Sequence, residues 1–83
     1  MKKQQIISSL AEVLGVDRQN LENIGENESL RLLGLNSIRA IEIIVRLEQE
    51  FDIEVSDEDL FIDNIDTLEK VKILIDKYIA NTL

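Results

Sequence analysis

Leu33-Gly34-Leu35-Asn36-Ser37-Ile38 opens the stretch that organises this chain, a glycine-containing turn that delivers a serine onto the start of a long aliphatic helix. Laid on a wheel at about 100° per residue, positions 37–51 put Arg39, Glu42, Arg46, Gln49 and Glu50 on one polar strip. Ile38, Ala40, Ile41, Ile43, Ile44, Val45, Leu47 and Phe51 cover the rest, with Glu48 as the exception. A helix so widely apolar is a central one, with other helices expected on two of its sides. Arg39 with Glu42, Glu42 with Arg46, and Arg46 with Glu50 stand at spacings that favour pairing along the helix, worth about 0.2–0.5 kcal/mol each.

Upstream, Ile6, Ile7, Leu10, Val13 and Leu14 recur at helical spacing and Gly15 is placed to end that helix. The connection from Val16 to Asn36 is rich in Asn, Asp, Glu and Gly, and Leu21, Ile24, Leu30, Leu32, Leu33 and Leu35 are expected to pin it to the core. A connection of this length in a small domain is usually functional. Downstream, Ser56 followed by Asp57, Glu58 and Asp59 has the form of a capped helix start and predicts a short third helix through Leu60 to Ile62. Asp66-Thr67-Leu68-Glu69 repeats that logic before a final helix carrying Leu68, Val71, Leu74, Ile75, Tyr78 and Ile79. Residues 51–55 alternate with period two, but they are short and have no pairing partner elsewhere. The predicted fold is all-α: a small four-helix bundle of three main helices plus a short third one, with a long first loop, spanning 1–83 as a single domain.

The chain has 83 residues, too few for a large buried active site, and it contains no histidine and no cysteine. A serine-hydrolase triad, a cysteine nucleophile and a thiolate metal site are therefore out of reach, and Gly34-Leu35-Asn36-Ser37 lacks the second glycine of a nucleophile elbow. A net charge of −8 argues against nucleic acid and anionic membranes and for basic protein partners. The start Met1-Lys2-Lys3 is not followed by the apolar run of a signal peptide, so the expected location is cytoplasmic and the expected state a monomer. Asp57-Glu58-Asp59 and the segment Asp63-Asn64-Ile65-Asp66 lack the spacing of a calcium loop, and no metal site is expected.

Ser37 by itself reads as an N-cap, and Asn36 reads equally well as the cap with Ser37 as the first helical residue. A hydroxyl at either place sits where unpaired N–H groups and the positive end of a helix dipole favour a phosphate ester. The segment from Leu33 to Leu47, with Glu48, Phe51 and the acidic restart at Asp57, resembles the modification site of the acyl carrier and peptidyl carrier proteins. The resemblance implies that Ser37 carries 4′-phosphopantetheine, transferred from coenzyme A by a separate magnesium-dependent phosphopantetheinyl transferase. It further implies a non-catalytic carrier that holds acyl or aminoacyl groups as thioesters for loading and condensing enzymes, with Asn36, Ile38, Arg39, Glu42, Arg46, Glu48, Asp57 and Glu58 as the docking residues. The fatty-acid-synthesis branch usually has an aspartate before the serine, where this chain has Asn36, and tends to have an acid where this chain has Arg39. These departures favour a carrier of polyketide, nonribosomal peptide or specialised lipid assembly over the housekeeping fatty-acid carrier. They leave Arg39 and Arg46 either as a device that excludes wrong partners or as a self-paired solvent face. The reading from a different class is an acidic helical interaction module without a prosthetic group.

Overall fold

The computed structural model describes residues 2–81. Four α-helices follow one another: α1 (Lys2–Leu14), α2 (Arg18–Asn23), α3 (Ser37–Phe51) and α4 (Leu68–Asn81). Short 3-10 turns lie at Leu30–Leu33, Asp57–Asp59 and Ile62–Asn64, and no strand occurs among the described residues. The all-α bundle is thus the architecture.

Helix α1 buries Ile6, Ile7, Leu10, Ala11 and Leu14. Gly15 ends it with a left-handed φ of 69°, its N–H and that of Val16 both donating to the Ala11 carbonyl at 2.9 and 3.2 Å. The long connection then folds a helix that apolar periodicity does not announce, because α2 has six residues and buries only Leu21. Arg18 ties α2 to α1 by donating to Ser8 Oγ and Gln4 Oε1. Leu30 and Leu35 are buried with Leu21, and Ile24 and Leu33 pack partly against the core. Leu32 departs from its expected pinning role and is 74% exposed.

Helix α3 buries Ala40, Ile43, Ile44 and Leu47, the i, i+3, i+4, i+7 face that packs on α1 and the Ile62–Asn64 turn. The expectation of cover on two sides is corrected at Ile38, Ile41 and Val45, which are exposed. The wheel is apolar over a wider arc than the neighbours reach. The pairing expected along the polar strip is corrected as well. Arg46 forms its ion pair with Glu12 of α1, Arg39 donates to the Leu14 carbonyl at 3.1 Å, and Glu50 accepts from Gln5 at 3.3 Å. Arg39 thereby satisfies a carbonyl at the C-terminal end of α1 that lacks an intrahelical partner, while Arg46 exchanges a carboxylate on its own helix for one on α1.

The period-two alternation at 51–55 is the end of α3 and a half-buried loop. Asp52 stops α3 in the left-handed region, Ile53 and Val55 enter the core, and Glu48 accepts the Val55 N–H at 2.8 Å. The single third helix is replaced by two 3-10 turns broken at Leu60 and Phe61. Ser56 makes no side-chain cap; its N–H donates instead to Tyr78 Oη at 3.0 Å. With Phe61 exposed and Leu60 and Ile62 only half-buried, the segment has too little apolar anchorage to repay a full helical nucleus. At α4 a side-chain cap does form, on Thr67 rather than as a box from Asp66 to Glu69: Thr67 Oγ1 accepts the Lys70 N–H at 3.1 Å, Asp66 instead accepts from Ser29, and Leu68, Val71, Leu74, Ile75 and Tyr78 are buried.

Asp59 joins these turns to α4 by accepting from Tyr78 Oη and, at 3.0 Å, from Lys77. The Tyr78 hydroxyl first and Lys77 second hold its carboxyl below the ordinary value of 3.8, and the bond to Asp59 raises Lys77 above its ordinary 10.5. A carboxylate with a depressed folded pKa contributes stability that is present above its unfolded pKa and lost as pH falls through the folded one. Melting temperature should therefore fall more steeply below about pH 4 in the native chain than in Asp59→Asn. Parallel acid limbs in the two proteins would contradict this. The Lys77 contribution has the opposite sense, complete below its ordinary pKa and lost as pH rises through the folded value.

Candidate functional site

The turn before Ser37 is built from inside outward. Ser29 Oγ accepts the Arg31 N–H at 3.2 Å and starts the 3-10 turn, which buries Leu30 completely. Gly34 closes that turn at a φ of 99°, its N–H donating to the Arg31 carbonyl at 3.1 Å, and any side chain there would be strained. Leu35 is then driven into the core, and its N–H donates to the Leu30 carbonyl at 3.2 Å. Asn36 follows in an extended conformation and caps α3, with Oδ1 accepting the Arg39 N–H at 2.8 Å.

The cap therefore belongs to Asn36, and Ser37 is the first helical residue. Its side chain is exposed, and no hydrogen bond to its hydroxyl is formed among the described residues. That hydroxyl stands at the N-terminus of a helix of 15 residues, where first-turn N–H groups and the dipole stabilise an added anion. Exposed hydroxyl, open approach and positive helix end are what an attached phosphodiester requires, so the residues present fit such a group.

The expected docking residues divide into three groups. Asn36, Ile38 and Glu42 are exposed on the first turns of α3 with Ser37. Arg39 and Arg46 share that helix, but their guanidinium groups are engaged by α1, and Glu48 is half-buried on the Val55 N–H. Asp57 and Glu58 are exposed in the turn beyond the C-terminal end of α3, beside the last turns of α4, and are not gathered around Ser37. Sequence reasoning named Ile38 as a docking residue but missed the rest of the apolar surface next to the serine. Ile38 at 72%, Ile41 at 49% and Val45 at 44% exposure form one stripe on α3, with exposed Leu32 on the preceding turn. Only their spacing relative to the buried face could have marked them. Among the described residues no cluster of three or more carboxylates could hold a metal ion, and no helix is long and apolar enough to cross a membrane.

A family model described as the phosphopantetheine attachment site matches residues 4–73. An acyl carrier protein of Phytoplasma mali is 36% identical over 77 residues, covering 90% of this chain and 89% of that protein. A mitochondrial acyl carrier protein of Neurospora crassa is 37% identical over 73 residues, covering 84% of this chain and 53% of that protein.

Proposed function

Because the chain belongs to the acyl carrier protein family, whose members are carriers with covalently attached 4′-phosphopantetheine, we propose that Ser37 is the attachment point and that residues 1–83 act as one carrier domain. The observation that carries this reading is the exposed, unengaged hydroxyl at the head of α3, with capping already performed by Asn36. A separate transferase brings coenzyme A. The serine oxygen bonds to the phosphorus of the pantetheine phosphate, the anhydride bond to the nucleotide half breaks, and the serine proton leaves with the base of that enzyme. When bound, the group supplies the terminal thiol that this cysteine-free chain lacks, on which acyl or aminoacyl cargo is held. The chain's own residues place the oxygen, stabilise the phosphodiester through the α3 N-terminus and present a surface to partner enzymes. Incubation with coenzyme A, magnesium and a broad-specificity transferase should add one phosphopantetheinyl group, localised to Ser37 by fragment mass analysis. Modification elsewhere, or none, would overturn the assignment.

The carrier serves loading and condensing enzymes of a polyketide, nonribosomal peptide or specialised lipid pathway. Asn36 and Arg39 stand where carriers of fatty acid synthesis tend to have acids, and Glu42 is the one acid between positions 37 and 47. Partners with basic rims are attracted by the net charge of −8, whereas contact beside the arm is made by Leu32, Ile38, Ile41 and Val45. An Ile41→Asp variant of the loaded carrier should weaken productive docking by about 1–3 kcal/mol without unfolding the chain. Equal processing of native and variant carriers would remove the apolar patch from the docking surface. Efficient turnover of the native carrier by a fatty-acid ketosynthase would remove the specialised pathway.

A further inference from the structure

Asp66, at the entry to α4, is bonded to three consecutive residues of the loop that leads to Ser37. Its carboxylate accepts from Ser29 Oγ at 2.7 Å and faces Arg31 Nη1 at 3.8 Å, while its backbone carbonyl accepts the Leu30 N–H at 2.6 Å. Arg31 reaches onward to Asp63 at 3.2 Å, and the Glu69 N–H donates to the Glu26 carbonyl at 3.0 Å, so the loop is fastened to the start of α4 on both sides of Asp66. The Asp66 side chain is only 16% exposed, which makes its bond to Ser29 less screened than a fully exposed pair. From this anchor the path to Ser37 is held by burial and hydrogen bonds. Leu30 is fully buried, its carbonyl accepts the Leu35 N–H, Leu35 is buried in turn, and Asn36 caps α3.

We infer that Asp66 is a positioning residue for modification of Ser37, holding the serine-bearing turn in register with α4 so that the hydroxyl meets the transferase in one geometry. The Asp66 side chain makes no bond to Ser37 and acts through Ser29 and Arg31, beside the bond of its backbone carbonyl to Leu30. This inference rests on Ser37 being the attachment point.

The test compares the native chain with Asp66→Ala and Asp66→Asn in transferase kinetics and in amide hydrogen exchange. Asp66→Ala should lower kcat for modification by roughly ten- to hundredfold, with the KM for coenzyme A unchanged, because the reacting oxygen is misplaced while cofactor binding by the transferase is untouched. Exchange should accelerate across residues 29–38 and stay native in α1 and in the rest of α4. Asp66→Asn keeps an oxygen acceptor for the Ser29 hydroxyl and should recover most of the rate and of the protection. Native kcat in Asp66→Ala together with native exchange at 29–38 would overturn the inference. So would exchange raised throughout the chain in both variants, since that describes a general loss of stability. If the native chain itself takes no phosphopantetheine, it is the assignment of Ser37 that fails, and local exchange in Asp66→Ala still decides whether this residue anchors the turn.

Discussion

Ser37→Ala is expected to abolish phosphopantetheine addition while leaving the fold in place. The two halves of that result have separate physical causes. The hydroxyl is the atom to which the group bonds, and alanine offers none, so intact mass after exhaustive incubation with transferase should equal that of the unmodified chain. Stability is spared because Ser37 is exposed and performs no capping, and a surface change away from buried or capping groups usually stays within about 0.5 kcal/mol. The capping cost should appear one residue earlier. Asn36→Ala leaves the Arg39 N–H without its acceptor and should cost about 1 kcal/mol in urea unfolding, with Ser37 still present for modification. A mass increase persisting in Ser37→Ala would refute the attachment site. A larger stability loss for Ser37→Ala than for Asn36→Ala would refute the division of labour between them.

Leu30→Ala is expected to destabilise the chain by about 2–5 kcal/mol, and Leu32→Ala, two residues on in the same 3-10 turn, by less than about 0.5 kcal/mol. Leu30 has no exposed surface, so truncation loses its transfer free energy and leaves a cavity among packed neighbours. Leu32 is 74% exposed and has little to lose. In a domain of this size the net stability is only a few kcal/mol, so Leu30→Ala should be partly unfolded at ambient temperature. Because the buried Leu30 side chain also seats the turn that leads to Leu35 and Ser37, that variant should be a poor transferase substrate even where it remains folded. Leu32→Ala should keep the native denaturation midpoint. Equal denaturation midpoints for the two variants would contradict the burial pattern.

Much of this molecule was legible without coordinates. The periodicity of Ile6, Ile7, Leu10 and Leu14, the stop at Gly15, the dense aliphatic run after Ser37 and the start of α4 at Thr67 are local properties. A repeat of 3.6 residues, a left-handed glycine and a hydroxyl one residue ahead of a helix act within a turn or two of chain. The place of Ser37 at the head of α3 was legible for the same reason, because a glycine turn followed by a polar cap is written in consecutive residues, whereas its choice as the attachment point came from the resemblance of the stretch to the carrier family. The helix α2 and the break at Leu60 and Phe61 were not, since each depends on a few apolar contacts with distant segments rather than on a repeating pattern.

Sequence alone determined the all-α class, the main helices, the absence of histidine and cysteine chemistry, and Ser37 as the residue to test. Tertiary structure decided which of two adjacent residues caps α3, that Arg39 and Arg46 bond to α1 and not to their own helix, and that Asp66 fastens the loop to α4. It also decided which leucines and isoleucines are core and which surround the serine. Helical spacing says which side chains share a face, but burial depends on what packs against that face. For α3 the cover comes from α1 and the Ile62–Asn64 turn, which reach Ile43, Ile44 and Leu47 and stop short of Ile38, Ile41 and Val45.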